Sequence, residues 1–283
     1  MNKYLVIGNP IDHSLSPKLH NYWIKKNNLN AIYEKKFAEE KDLKKLCDDV
    51  REGKIEGFNV TVPFKEKIIK HLDNYTDTAN AIRAVNTVYR KYVDGEYIVM
   101  GDNTDVYGFE QSCPLRNYSK RGASALIIGA GGASKAIILG LCNLNVRHFA
   151  ITNRTRENAK NLMTQITKPE SYKGHFVYEW CKDEGIMSKP DIIVNCTSLG
   201  LKEEDKIPLD FSKYKKKFFT KKVIFYDLIY NPEETNFLIN AKKIGQQAIN
   251  GKMMFLYQAQ KSFFIWHGIK PEIDQETISV LND

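Results

Sequence analysis

Short apolar runs alternate with stretches of helical period along most of this chain. The runs read as strands near Tyr4–Ile7, 31–37, 57–62, 84–91 and 96–100, then near 125–128, 148–152, 175–178, 191–196 and 222–228. Helical patterns fall between and after them. One opens at Ser16-Pro17, where serine is expected to cap and proline to take the first helical position. Another covers 41–51, with Leu43, Leu46 and Val50 on one face. Others follow at Lys135–Leu141, 233–245 and 252–266. Strand and helix in repeated alternation predict α/β layers built on parallel sheets. Asp94-Gly95 between two runs marks a hairpin. Period two sets Asn59 and Thr61 on one strand face, opposite Val60 and Val62. Pro63 ends that strand and is expected to start a helix with Lys65 in its first turn.

Composition narrows the class. A chain of 283 residues has room for two ordinary cores. Apolar and charged fractions of 42% and 27% are those of a globular protein. No apolar run reaches membrane-span length, and Met1–Gly8 reads as a first strand rather than a leader, so a cytoplasmic location is expected. The net charge of +8 is scattered; its densest cluster, Lys213, Lys215, Lys216, Lys217, Lys221 and Lys222, lacks any recognition motif and reads as a solvated loop. Neither nucleic acid nor membrane is expected as a partner. Cysteines 47, 113, 142, 181 and 196 are odd in number and form no C-x-x-C pair, so neither disulfides nor zinc are indicated, and no metal is expected.

The densest chemical signal is Gly129-Ala130-Gly131-Gly132-Ala133-Ser134, between an apolar run and a helical pattern. Strand, tight glycine turn and helix let backbone N–H groups and a helix N-terminus hold a pyrophosphate. Ser134 stands where the strict fingerprint has Gly or Ala. About twenty residues on, where an NAD site offers an acid to the ribose, the chain has Asn153-Arg154-Thr155-Arg156. Guanidiniums beside a hydroxyl suit a 2′-phosphate, so NADP is expected over NAD; a solvated helix start is the alternative reading. A dinucleotide domain beginning near residue 120 leaves the earlier part of the chain for the substrate.

Hydride transfer to a ketone needs a proton donor at the substrate oxygen. Lys65 and Asp102 each lie just past a predicted strand end, where α/β sheets place ligands. Ser14 and Ser16 read either as turn residues or as hydroxyls for an acidic substrate. Asn59, Thr61 and Asn86 are polar in or beside strands, where asparagine is disfavoured, and ligand contact would explain them.

These residues bring a family into view. Gly8-Asn9-Pro10-Ile11 with His13-Ser14-Leu15-Ser16-Pro17, Asn59-Val60-Thr61-Val62-Pro63-Phe64-Lys65, Ala84-Val85-Asn86-Thr87 and Gly101-Asp102-Asn103-Thr104-Asp105 resemble motifs of the shikimate dehydrogenases. So do the glycine turn, Asn153-Arg154-Thr155, Asn195–Gly200, Tyr226–Pro232 and Asn250–Ala259. The resemblance spans nearly the whole chain. It implies an N-terminal α/β substrate domain, a Rossmann-like doubly wound nucleotide-binding domain and an active site in the cleft between them. The boundaries expected are 1–105 for the substrate domain, 106–235 for the NADP domain, and 236–283 for helices packing back on the first. It implies NADPH-dependent reduction of 3-dehydroshikimate to shikimate, with a quinate/shikimate dehydrogenase as the near rival and a catalytically silent nucleotide-binding regulator as the distant one. Lys65 and Asp102 become the catalytic pair. Ser14, Ser16, Asn59, Thr61, Asn86, Tyr230 and Gln258 become substrate ligands. Asp77, Gly129, Ala130, Gly131, Gly132, Ala133, Asn153, Arg154, Thr155, Leu228 and Gly251 become cofactor ligands. The chain is expected to be a monomer or homodimer. It departs from the family pattern at Arg83, which replaces a glycine, at Leu201, which replaces a common methionine, and at Asn158, where a second basic residue is usual.

Overall fold

A computed structural model describes residues 1–117, 122–166, 172–178, 180, 190–208 and 222–281. Cys181 and the lysine cluster other than Lys222 lie outside the described residues. The chain divides into two compact units, Met1–Gly108 with Leu256–Asp283, and Phe109–Phe255. The expected domain list grouped 236–255 with the closing helices. Those residues fall in the second unit because Gln247–Ile249 adds a strand to its sheet, next to Ile224–Asp227.

The first unit is built on six strands, β1 (Asn2–Gly8), β2 (Ala31–Phe37), β3 (Gly57–Val60), β4 (Asn74–Tyr75), β5 (Thr87–Val93) and β6 (Glu96–Asp102), in the order β2-β1-β3-β5-β6-β4. The sheet is mixed rather than parallel. β1 runs parallel to β2 and β3, but β5 is antiparallel to both β3 and β6. The hairpin at Asp94-Gly95 imposes the β5–β6 reversal; both residues have positive φ, 50° and 95°, as a type I′ turn requires.

Helices α1 (Ser16–Lys26), α2 (Leu43–Arg51), α3 (Asp77–Ile82) and α4 (Thr104–Ser112) accompany these strands. Helix α2 buries Leu43, Leu46, Cys47 and Val50, spaced three, four and seven along one stripe, into a core with Leu5, Ile7 and Phe58. Ser16 does not cap α1. Leu15 occupies the cap position without a side-chain bond, and Ser16 is already helical beside Pro17. Lys65 is not in a helix; it sits in the turn between β3 and a 3₁₀ segment at Lys67–His71.

The second unit holds an all-parallel sheet of β7 (Ala123–Ile128), β8 (Val146–Thr152), β9 (Gly174–Tyr178), β10 (Ile192–Asn195), β11 (Ile224–Asp227) and β12 (Gln247–Ile249). Their order is β12-β11-β10-β7-β8-β9, so the first strand of the unit pairs with its second on one side and its fourth on the other. That reversal between β7 and β10 is the topological switch point of a doubly wound sheet, where ligands bind. The central strands are buried on both faces and are mostly apolar, β10 and β11 each ending in one polar residue, Asn195 and Asp227. Helices α5 (Gly132–Asn143), α6 (Arg156–Thr164) and α7 (Asn236–Lys243) belong to this unit. The unit boundaries fall inside α4 and inside α8 (Lys252–His267), whose second part returns the chain to the first unit ahead of α9 (Gln275–Ser279). Among the described residues no helix is long and apolar enough to cross a membrane.

Candidate active site

In the first unit, Lys65 lies in the turn after β3, its peptide oxygen held by the Val85 N–H at 2.8 Å. Its ammonium donates to Asp105 Oδ2 at 2.6 Å, with the two side chains 19% and 13% exposed. The other carboxylate oxygen of Asp105 accepts from Asn86 Nδ2 at 2.8 Å. One oxygen on the ammonium and one on an amide leave the carboxylate fixed in orientation while both it and Lys65 keep an open edge.

Asp105, rather than Asp102, is therefore the carboxylate that faces Lys65. Asp102 ends β6 and turns to the other side, where its Oδ1 accepts from Thr76 Oγ1 at 2.5 Å and from the Asn103 N–H at 2.7 Å. The physical reason is the helix that begins here. Asn103 Oδ1 accepts from the Asp105 N–H at 3.1 Å, an N-cap geometry that places Asp105 in the first turn of α4. An asparagine two residues before an acid at a strand end is a signal readable in Asn103-Thr104-Asp105.

Behind the pair lies a buried polar cluster. Asn86 Oδ1 accepts from the Thr104 N–H at 2.8 Å and lies 3.0 Å from Thr87 Oγ1. Ser262 on α8 is fully buried, with Thr87 Oγ1 at 2.8 Å, Thr104 Oγ1 at 3.1 Å and Asn59 Nδ2 at 3.1 Å. Asn59, expected to meet the substrate, is 7% exposed and internally committed. Its Nδ2 reaches Asn86 O and Thr87 Oγ1, both at 3.0 Å, as well as Ser262, and its Oδ1 accepts from Tyr33 Oη at 2.6 Å. Tyr33 is itself buried, and burial holds its phenol well above its ordinary value. Tyr33, Thr87, Thr104 and Ser262 were missed by sequence reasoning, since a lone hydroxyl in a strand or helix carries no pattern.

The remaining expected substrate residues of this unit are half-buried. Ser14 Oγ accepts from the Ser16 N–H at 3.4 Å. The Thr61 methyl lies under Gly8, where an added Cβ would come within 2.5 Å of it. Gln258 is one turn before Ser262 on α8, with its Oε1 3.5 Å from Thr104 Oγ1. Asp77 also belongs to this unit, as the exposed first residue of α3.

In the second unit the glycine turn follows β7. Gly129 has φ 103°, and a Cβ there would lie 2.7 Å from Thr197 Cγ2 beyond β10, so no other residue fits. Gly131 and Gly132 differ: nothing lies within 4 Å of where their Cβ atoms would be. The turn is tight underneath and open above, as backbone approach to a pyrophosphate demands. Ser134 is fully buried and donates to Gly129 O at 3.0 Å, so the serine closes the turn from inside. Asn153 Oδ1 accepts from the Ala130 N–H at 3.1 Å, and its Nδ2 donates to Thr155 O at 2.7 Å, tying the two loops together. Arg154, Thr155 and Arg156 are exposed, and neither arginine forms an ion pair among the described residues; Lys160 is held by Glu157 at 3.3 Å. These residues fit a dinucleotide with a 2′-phosphate.

Leu228 and Gly251 meet beyond β11. A Cβ on Gly251 would stand 2.1 Å from Leu228 O, and the Gly251 N–H donates to Ile229 O at 3.0 Å. Tyr230 stacks on Phe255 with centroids 4.8 Å apart, and burial raises its phenol. Asp227, fully buried, accepts from Thr235 Oγ1 at 2.6 Å, Asn195 Nδ2 at 3.0 Å and the Ile229 N–H at 3.1 Å. Burial still pushes its carboxyl up to about 6. Among the described residues no group of three or more His, Cys, Asp or Glu could hold a metal.

The second unit alone defines a class: a doubly wound sheet with a glycine turn at its switch point and cations past its second strand is a dinucleotide-binding module, here joined to a unit carrying a Lys–Asp pair. Residues 6–88 match the family profile "Shikimate dehydrogenase substrate binding domain", and residues 115–202 match "Shikimate / quinate 5-dehydrogenase". A shikimate dehydrogenase (NADP(+)) from Pelagibacter ubique is 46% identical over 279 residues, 99% of this chain and 98% of its own. The crystal structure of shikimate dehydrogenase from Aquifex aeolicus is similar at a TM-score of 0.83 and 35% identity, covering 100% of this chain and 98% of that one. That of shikimate 5-dehydrogenase from Thermus thermophilus, in complex with NADP(H) and shikimate, reaches 0.82 at 29% identity, covering 100% and 99%. The chain belongs to the shikimate dehydrogenase family.

Proposed function

We propose that this chain is an NADP-dependent oxidoreductase that reversibly reduces 3-dehydroshikimate to shikimate in the pathway to chorismate. The observation that carries the mechanism is the Lys65–Asp105 contact, half-open and oriented by Asn86. NADPH, when bound, supplies the hydride. Lys65 and Asp105 together deliver the proton that the carbonyl oxygen takes up as the carbon receives that hydride, and take it back in the reverse direction. Such a positioned pair contributes about 10²–10⁴-fold.

The substrate carboxylate falls to Ser14 and Ser16, and its hydroxyls to Thr61 and Gln258, with Tyr230 as a further contact; Asn86, whose amide donors are spent on Thr104 and Asp105, holds the pair in place. Asn59 acts as the scaffold behind them, since its donors are already used. The glycine turn receives the pyrophosphate; Asn153, Arg154 and Thr155 receive the 2′-phosphate, with Asn153 also keeping the two loops in register. Leu228 and Gly251 provide the floor for the nicotinamide, and Asp77 a contact from the first unit. The free thiols of Cys47, Cys113, Cys142 and Cys196 accord with residence in a reducing cytoplasm.

The test is an initial-rate assay of reduced nicotinamide formation with shikimate or quinate and with NADP+ or NAD+. Shikimate with NADP+ should give the highest kcat/KM. A higher value for quinate favours the rival dehydrogenase, and NADP+ binding without turnover favours a silent regulator.

A further inference from the structure

Asp102 was singled out by sequence as the partner of Lys65, and the structure assigns it another task. Its carboxylate has no hydrogen bond or ion pair with Lys65; its partners are the Thr76 hydroxyl at 2.5 Å and the Asn103 N–H at 2.7 Å. Both are donors, and both lie at the start of a helix. Thr76 is the N-cap of α3, its Oγ1 also accepting from the Ala79 N–H at 3.3 Å. Asn103 caps α4 through the Asp105 N–H and anchors itself by donating Nδ2 to Ala84 O at 3.0 Å. The peptide oxygen of Asp102 accepts from the Asn86 N–H at 3.0 Å, and Asn86 in turn holds Asp105. One residue thus fastens, through its backbone and its side chain, the two supports that aim Asp105 at Lys65.

We propose that Asp102 is a positioning residue for the acid–base pair, acting as a hydrogen-bond acceptor and not as a proton carrier. The proposal rests on the reading of Lys65 and Asp105 as that pair. It makes a sharp distinction between two substitutions. Asparagine keeps an acceptor oxygen for Thr76 and Asn103 but cannot exchange a proton; alanine removes the acceptor altogether. A carboxylate that carries protons tolerates neither. A carboxylate that only positions is rescued by asparagine.

The experiment compares wild type, Asp102→Asn, Asp102→Ala and Asp105→Asn. It measures kcat and KM with shikimate and NADP+ across pH, together with hydrogen exchange at the Asn103–Asp105 amides. Asp102→Asn should keep kcat within about threefold and leave the pH profile in place, whereas Asp102→Ala should lose about tenfold or more in kcat with faster exchange at those amides. Asp105→Asn should lose about 10²–10⁴-fold whatever stands at 102. Asp102→Asn falling as far as Asp105→Asn overturns the proposal, and so does Asp102→Ala at wild-type kcat and exchange. Should Asp102→Ala fail to fold, the two asparagine variants and their exchange still decide. An inactive wild-type protein instead overturns the functional reading, and the amide exchange of the two Asp102 variants still tests the positioning.

Discussion

Among single side chains, Lys65 has the largest expected effect on rate. Lys65→Ala should reduce kcat by about 10²-fold or more while KM for shikimate changes little, because the lost interaction belongs to the transition state. Steady-state kinetics on the folded variant check this; near-normal turnover would remove Lys65 from the chemistry. Arg83 offers a stability test. It closes α3 in the left-handed region, φ 52° and ψ 43°, at the site where the family pattern has glycine. The fold is kept at a conformational cost, and Arg83→Gly should stabilise the protein by about 0.5–1 kcal/mol, read as a higher urea midpoint. Lys65, Asn86 and the glycines were legible because motif and position agree. Asp102 and Asp105 were not separable by spacing alone, since both stand within three residues of the end of one strand. What separates them is the Asn103 cap, a local hydrogen bond that sends one carboxylate to Thr76 and the other to Lys65.

At the scale of elements, the segment after β11 joins a close backbone contact to a buried charge. Gly251→Ala should lower the melting temperature and weaken NADP+ binding at least tenfold, about 1.4 kcal/mol, because Leu228 O already occupies the place of the new methyl group. Titration calorimetry and a thermal melt read the two effects. Asp227 predicts a pH dependence. Burial lifts its carboxyl from 3.8 to about 6, so between those values the folded form keeps a proton that the unfolded chain releases. The neutral carboxyl therefore favours folding in acid, and this contribution is lost as pH rises through about 6. Asp227→Asn lacks that loss. Its unfolding free energy minus that of wild type should climb by about 2–3 kcal/mol from about pH 4 to about pH 7, whatever its offset. A flat difference in urea titrations would mean the carboxyl titrates normally. Elements with strong patterns, such as α2, the strand β7 before the glycine turn and the helix α5 after it, were legible in sequence. The two-residue β4 and three-residue β12 were not, because edge strands this short take their structure from the neighbour they pair with.

For the whole molecule, the proposed cofactor choice rests on Arg154 and Arg156, which form no ion pair among the described residues. Arg154→Ala should weaken NADP+ binding by about tenfold or more and leave NAD+ nearly unchanged, with titrations at two salt concentrations showing the larger salt effect for NADP+. Equal losses for both cofactors would make Arg154 a general contact. The two-unit plan was legible from the place of the glycine turn in the chain. The mixed first sheet was foreshadowed by Asp94-Gly95, although the alternation of strands and helices pointed to parallel pairing. The split character of the first unit has a consequence for how the protein is made. Residues 109–255 form an uninterrupted unit, whereas the first unit needs its opening 108 residues and its closing stretch from 256 onward. Emerging from the ribosome, the nucleotide module can complete itself while the substrate module still waits for Ser262, the hydroxyl on which Asn59, Thr87 and Thr104 converge. Synthesis order thus runs against sequence order: the half translated first is the half finished last.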